Sequence, residues 1–159
     1  MGEYQWLLFF HVTGAFLLVG GSVLAVVLNV SALRRERPSE IALLLNLVRF
    51  AVAAIGAGVL LTIVFGLWLV SAAPYGYSYG SFWVIAALVL WVVANALGWR
   101  GGERDKHTRE LAERLAAEGD APSGALRARL RDPVSLTLSY GSGLAVLLIV
   151  VDMIWKPGA

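Results

Sequence analysis

Apolar residues fall in four long blocks separated by polar ones: about Trp6 to Leu33, Ile41 to Ala73, Phe82 to Trp99 and Val134 to Trp155. Each block reaches the roughly 18 residues at which an apolar run reads as a membrane-spanning helix. The first stops at RRERPSE. The second contains Asn46 and Arg49, which places its lipid-embedded part at Phe50 to Val70 and its first turns outside the hydrocarbon. The fourth follows Asp132-Pro133, an N-cap residue with proline in the first turn. The pattern predicts an all-α, antiparallel four-helix bundle that forms one transmembrane domain over residues 1–159. No internal repeat or low-complexity tract interrupts it.

The polar connections set the expected orientation. Of the 13 Lys and Arg residues, all but Lys156 lie between the first and second blocks, at Arg49, or between the third and fourth blocks. The opposite loop, APYGYSYGS, has none. By the positive-inside rule both termini are expected outside and both charged loops in the cytoplasm of a bacterial plasma membrane. The first block is expected to be a retained anchor. Its leading residues, MGEYQ, lack a basic residue and include Glu3, unlike a signal peptide, although Val30-Ser31-Ala32 resembles a cleavage site.

The connection 100–133 is the longest polar segment. ERDKHTRELAERLAAEG predicts a helix with Asp105–Arg109 and Glu110–Arg114 pairs, broken at Gly119 and DAPSG. We read it as a solvated, charge-balanced hairpin that returns the chain, with the basic stretch ALRARLR available to anionic headgroups. Trp6, Trp68, Tyr75, Tyr77, Tyr79, Trp83 and Trp155 gather at the other ends of the spans, as interface aromatics do. The density of YGYSYGSFW suggests a tyrosine-rich cap over the outer mouth.

Composition agrees with the pattern: 58% hydrophobic and 15% charged residues, against about 25% charged in soluble domains. The net charge of +2 is an average over compartments and gives no reason to expect nucleic acid. With no cysteine there is neither a disulfide nor a thiolate site.

Small residues mark the packing faces. His11, Gly14, Leu18, Gly21, Ala25 and Leu28 share one face of the first span. Gly58, Thr62 and Gly66 do so in the second, and Ser135, Ser139 and Gly143 in the fourth. Such stripes let backbones approach, within one bundle or across a homodimer or another membrane-protein interface. Asn29, Asn46, Arg49, Asn95 and Ser139 form a polar layer toward the charged loops, where interhelical hydrogen bonds and a snorkelling Arg49 account for them.

His11 and Asp152 form a second polar layer. His11 lies five residues past Trp6, about 7.5 Å along a helix, and Asp152 three before Trp155, about 4.5 Å. The two meet at one depth if the first and fourth spans are neighbours. An ionisable group in a span is costly and is a functional candidate by default. His11 is a candidate haem ligand, with Gly14, and beyond it Gly20 and Gly21, giving clearance and Asp152 orienting the imidazole or influencing a propionate. The second axial position is then empty, taken by Met153, or shared between two protomers. A copper site from His11, Met153 and Asp152 is too thin a ligand set. A His11–Asp152 proton relay lacks polar groups through the middles of the spans. The plainer alternative is a structural histidine bonded to a carbonyl, a hydroxyl or Asp152.

The stretch WLLFFHVTGAFLLVGG, Trp6 to Gly21, resembles the first helix of the copper-resistance protein D-like superfamily, in its His11, Gly14 and Gly20-Gly21. The four-span layout is similar to that superfamily's branch of small predicted bacterial integral membrane proteins, and more distantly to the HemJ-type protoporphyrinogen oxidases. The resemblance implies haem b at His11. It does not extend to porphyrinogen oxidation, because the lysine those oxidases carry in a later span has no counterpart here. The expected function is a small haem-binding membrane protein in electron transfer or haem handling. The alternatives are a non-catalytic membrane subunit with a structural His11 and a metal or proton transporter. The residues leave catalysis open.

Overall fold

The computed structural model describes residues 2–72 and 78–158. Its elements are α1 (Glu3–Leu33), α2 (Pro38–Ala72), α3 (Phe82–Ala117), the short α4 (Gly124–Leu130) and α5 (Pro133–Trp155). Four of the helical segments are long and apolar enough to cross a membrane. Large apolar side chains point outward along them, with Phe16 at 76%, Leu60 at 65% and Leu147 at 58% exposure. In a bilayer such surfaces face lipid tails, so close packing rather than apolar burial holds the spans together.

That packing is uneven. α1 lies against α2, and α5 against α3, whereas α1 and α5 barely touch. The bundle is thus two helix pairs joined by a thinner α2–α3 contact. In the first pair the glycine stripes of α1 and α2 meet. A methyl at Gly58 would stand 2.5 Å from the Leu18 nitrogen and 2.7 Å from the Gly14 oxygen. In the second pair the contact runs through Gly98 and Gly101 of α3 against Ser142 and Ser139 of α5, and the Ser142 hydroxyl donates to the Ala94 carbonyl at 3.0 Å. Gly143 differs from its expected packing role: the space beside it is open.

α3 does not stop at Trp99. It continues unbroken through Gly101 and Gly102 to Ala117, so most of the connection expected as a hairpin is the far end of a transmembrane helix. The break at Gly119 (φ 123°) and Asp120 (φ 58°) falls where the sequence places it. The side chains there are not merely solvated. Ala32, Ile41, Ala42, Leu45, Ala112 and Leu126 form a buried cluster, flanked by Leu111, Leu115 and Leu130. Because these groups would otherwise meet water, the hydrophobic effect does apply, at about 2 kcal/mol for Leu126, which is 1% exposed.

Polar ties fasten this end. Asp120 accepts from the Ser39 amide and hydroxyl, each at 2.7 Å, and so caps the first turn of α2. The Asn46 amide donates to Glu113 at 2.8 Å, and Arg104 pairs with Asp132. Asp132 caps α5 through the Ser135 amide, with Pro133 in the first turn as expected. The helical contacts differ from those expected: Arg109 pairs with Glu113, and the His107 imidazole lies 3.6 Å from Glu110.

Candidate functional site

The α1 stripe turns His11 toward α2, where Nδ1 stands 3.0 Å from the Thr62 carbonyl oxygen. A carbonyl only accepts, so Nδ1 carries the proton in this bond. Its second lone pair lets the oxygen take the imidazole without giving up its helical bond. The imidazole fits because α2 has glycine one turn on. A methyl at Gly66 would lie 2.9 Å from Cε1 and 3.0 Å from Nδ1 of His11. Fixing the proton on Nδ1 leaves Nε2 with a lone pair, and among the described residues no hydrogen bond or ion pair takes it. This is how metal-bound histidines are commonly held: one nitrogen tied to a carbonyl, the other presented.

His11 lines a cavity of about 310 Å³ between the two helix pairs. That is near the lower end of the roughly 300–1,000 Å³ of small-molecule sites. Its walls are mainly apolar, with Trp83 and Trp91 from α3 and Ile149 and Met153 from α5. Polar character is confined to a few groups. Thr62 Oγ1 and Trp91 Nε1 are buried without a hydrogen-bond partner. Lys156 lines the rim, its ammonium 5.5 Å from the centre of the Trp83 ring, close enough for a cation–π contact.

The other expected site residues are placed differently. Gly14 does not line the cavity. A methyl there would meet Leu61 Cβ, Thr62 N and Thr62 Oγ1, each at 2.8 Å, so its missing side chain serves the α1–α2 contact. Clearance beside the imidazole comes from Gly66, which the sequence shows only as part of a small-residue stripe. Asp152 is 8% exposed and its Oδ2 is buried without a hydrogen-bond partner. No hydrogen bond or ion pair joins it to His11, because α5 packs on α3 and α1 on α2. Thr62, not Asp152, orients the imidazole. Met153 does share the cavity with His11.

The aromatics divide as well. Trp6, Trp68, Tyr79 and Trp155 are exposed, as interface residues are, but Trp83 is 4% exposed and packs with Val70 and Val84. Tyr79 donates to the Leu67 carbonyl at 3.0 Å. Tyr75 and Tyr77 of the expected cap lie outside the described residues.

The donor set discriminates between ligands. Among the described residues no group of three or more His, Asp or Glu side chains is placed to hold a metal ion. One imidazole and one thioether are too few for a bare cation. A metalloporphyrin brings its own ring nitrogens and asks the protein for only one or two further donors, and an imidazole and a thioether are of that kind.

Comparison with curated proteins and with solved structures finds no match. The family comparison does: residues 5–157 match the model of a predicted integral membrane protein family, DUF2269, and the chain belongs to that family.

Proposed function

We propose that the protein is a small haem-binding protein of the bacterial plasma membrane, with His11 Nε2 as the axial donor. The observation that carries this reading is the Nδ1 bond to the Thr62 carbonyl, which fixes the tautomer and leaves Nε2 to a ligand in the cavity. Met153 of α5, which lines the same cavity, would offer a thioether as a second donor, and the Lys156 ammonium would suit a propionate. Trp83 and Trp91 offer flat apolar surface and exclude water. Haem bound there would supply reversible one-electron transfer. The likeness of Trp6–Gly21 to the copper-resistance protein D-like superfamily supports the same reading. With the basic residues inside, the cavity opens toward the outer leaflet.

The test is optical. The protein is expressed with haem supply intact, purified in mild detergent, and scanned oxidised and dithionite-reduced. The expected result is a Soret band with a sharp reduced α-band, lost in His11→Ala at equal yield of folded protein. Met153→Leu is expected to keep the haem and shift the bands toward a five-coordinate spectrum. A folded wild type without these bands overturns the proposal. It would leave His11 as a packing group of a non-catalytic subunit, a role its place in the α1–α2 contact also suits.

A further inference from the structure

A second and larger cavity, about 650 Å³, opens at the charged end between α2 and α3. It shares only Trp91 and Ile149 with the His11 cavity. Its trough is apolar, walled by Leu45, Val52 and Val59 of α2 and by Ala94 of α3, with Val146 of α5 at the floor. Two glycines widen it. Gly56 and Gly102 both line it, and a methyl at either would meet nothing within 4 Å. From Arg49 to Val59 the trough follows ten residues of α2, about 15 Å of rise. That is half the roughly 30 Å hydrocarbon thickness, or the depth of one leaflet.

The rim carries charges of both signs. Arg49, Lys106 and Arg109 line it together with Glu103 and Asp105. Arg109 is engaged by Glu113 at 3.8 Å. The other four have no ion pair or hydrogen bond with one another or with any described residue. Asp105 is half-buried among them. Arg49 stands one residue before the embedded part of α2 and is exposed, at the level where its guanidinium can reach headgroup phosphates. The groove therefore has one charged end with two free cations and two free carboxylates, and a leaflet-deep apolar body.

We propose that this groove holds a zwitterionic phospholipid with a primary ammonium headgroup, of the phosphatidylethanolamine class. Its phosphate lies on Arg49 and Lys106, its ammonium on Asp105, and an acyl chain runs past Gly56 toward Ile149. Basic pockets between transmembrane helices commonly take lipid phosphates. The carboxylates at the same rim make this one specific. They repel a purely anionic headgroup, and they reward an ammonium that still has hydrogens to donate.

Native mass spectrometry of the full chain in detergent tests this. Phosphatidylethanolamine, phosphatidylcholine and phosphatidylglycerol with identical acyl chains are offered in equal amounts, with inorganic phosphate in a separate arm. Phosphatidylethanolamine is expected to be retained several-fold over either competitor, and inorganic phosphate not to displace it. Removing both cations with Arg49→Gln and Lys106→Gln is expected to lower retention of every phospholipid, by about fivefold per charge. Asp105→Asn is expected to bring phosphatidylethanolamine down to the phosphatidylcholine level without affecting the latter. Gly56→Leu fills the trough and is expected to reduce all three. Equal retention of the three lipids, preference for phosphatidylglycerol, or displacement by phosphate overturns the proposal. The wild-type ranking decides the matter even where a variant fails to fold.

Discussion

The imidazole of His11 occupies the volume that any side chain at Gly66 would need, with Cε1 2.9 Å from the position of the missing methyl. One turn earlier, the Thr62 carbonyl holds the same imidazole by Nδ1. Position and tautomer of the histidine are thus both set by α2. Gly66→Ala is expected to swing the imidazole away and break that bond while the bundle stays folded, because a side chain can yield where a backbone cannot. The cost should be about 1 kcal/mol. Thermal unfolding in detergent reads the stability, and if the protein takes haem as proposed, its visible spectrum should lose intensity or shift.

Gly58 gives the contrasting case. A methyl there meets backbone, 2.5 Å from the Leu18 nitrogen, so α1 and α2 must separate. Gly58→Ala is expected to cost about 3 kcal/mol, the upper end for an overpacked site. Gly56→Ala, two residues away but facing open space, is expected to be neutral or slightly stabilising. Parallel melts of the two variants check the pair, and equal losses would contradict the backbone contact.

The cluster at the charged end predicts local rather than global failure. Leu126→Ala removes a side chain that is 1% exposed, at a cost of about 3 kcal/mol to the docking of α4. The four spans do not depend on that contact. Limited proteolysis is expected to cut the variant within 118–124 while leaving the membrane-embedded fragments associated.

Acid should release the same end. Two hydrogen bonds from Ser39 hold Asp120 below the usual carboxylate range, opposed by desolvation and aided, to a smaller extent, by the nearby Arg37. A carboxyl whose folded pKa is depressed contributes stability that is fully present above its unfolded pKa, near 3.8. That contribution is lost as the pH falls through the lower, folded value. Hydrogen exchange at the Ser39 amide is therefore expected to be well protected at pH 6 and to lose protection below about pH 4. Asp120→Asn, which tolerates the positive φ but lacks the charge, should flatten this dependence.

The four spans were legible because a lipid-facing surface leaves no room for polar residues, so hydropathy alone marks it. Which spans pair was not. Gly14, Gly58 and Gly66 look like interchangeable members of stripes until the backbones they admit are known. The partner of His11 was hidden for a related reason: it is a carbonyl, which no side-chain pattern reports. At the charged end, i,i+4 spacing suggested Asp105–Arg109, but Glu113 competes for the same arginine and is itself held by Asn46. The connection was expected to be solvated because charges dominate its sequence, yet its leucines at 111, 115, 126 and 130 seat it on α1 and α2.

The length of α3 has a consequence beyond the bilayer. Its 36 residues span about 54 Å at 1.5 Å per residue. A membrane with its headgroups is only about 40–45 Å thick. Even allowing for tilt, the last turns stand clear of the lipid, braced by α2 and α4. The end of α3 therefore presents ordered protein surface beyond the headgroups, on the same continuous helix that bears Trp91 and Trp83 within the membrane.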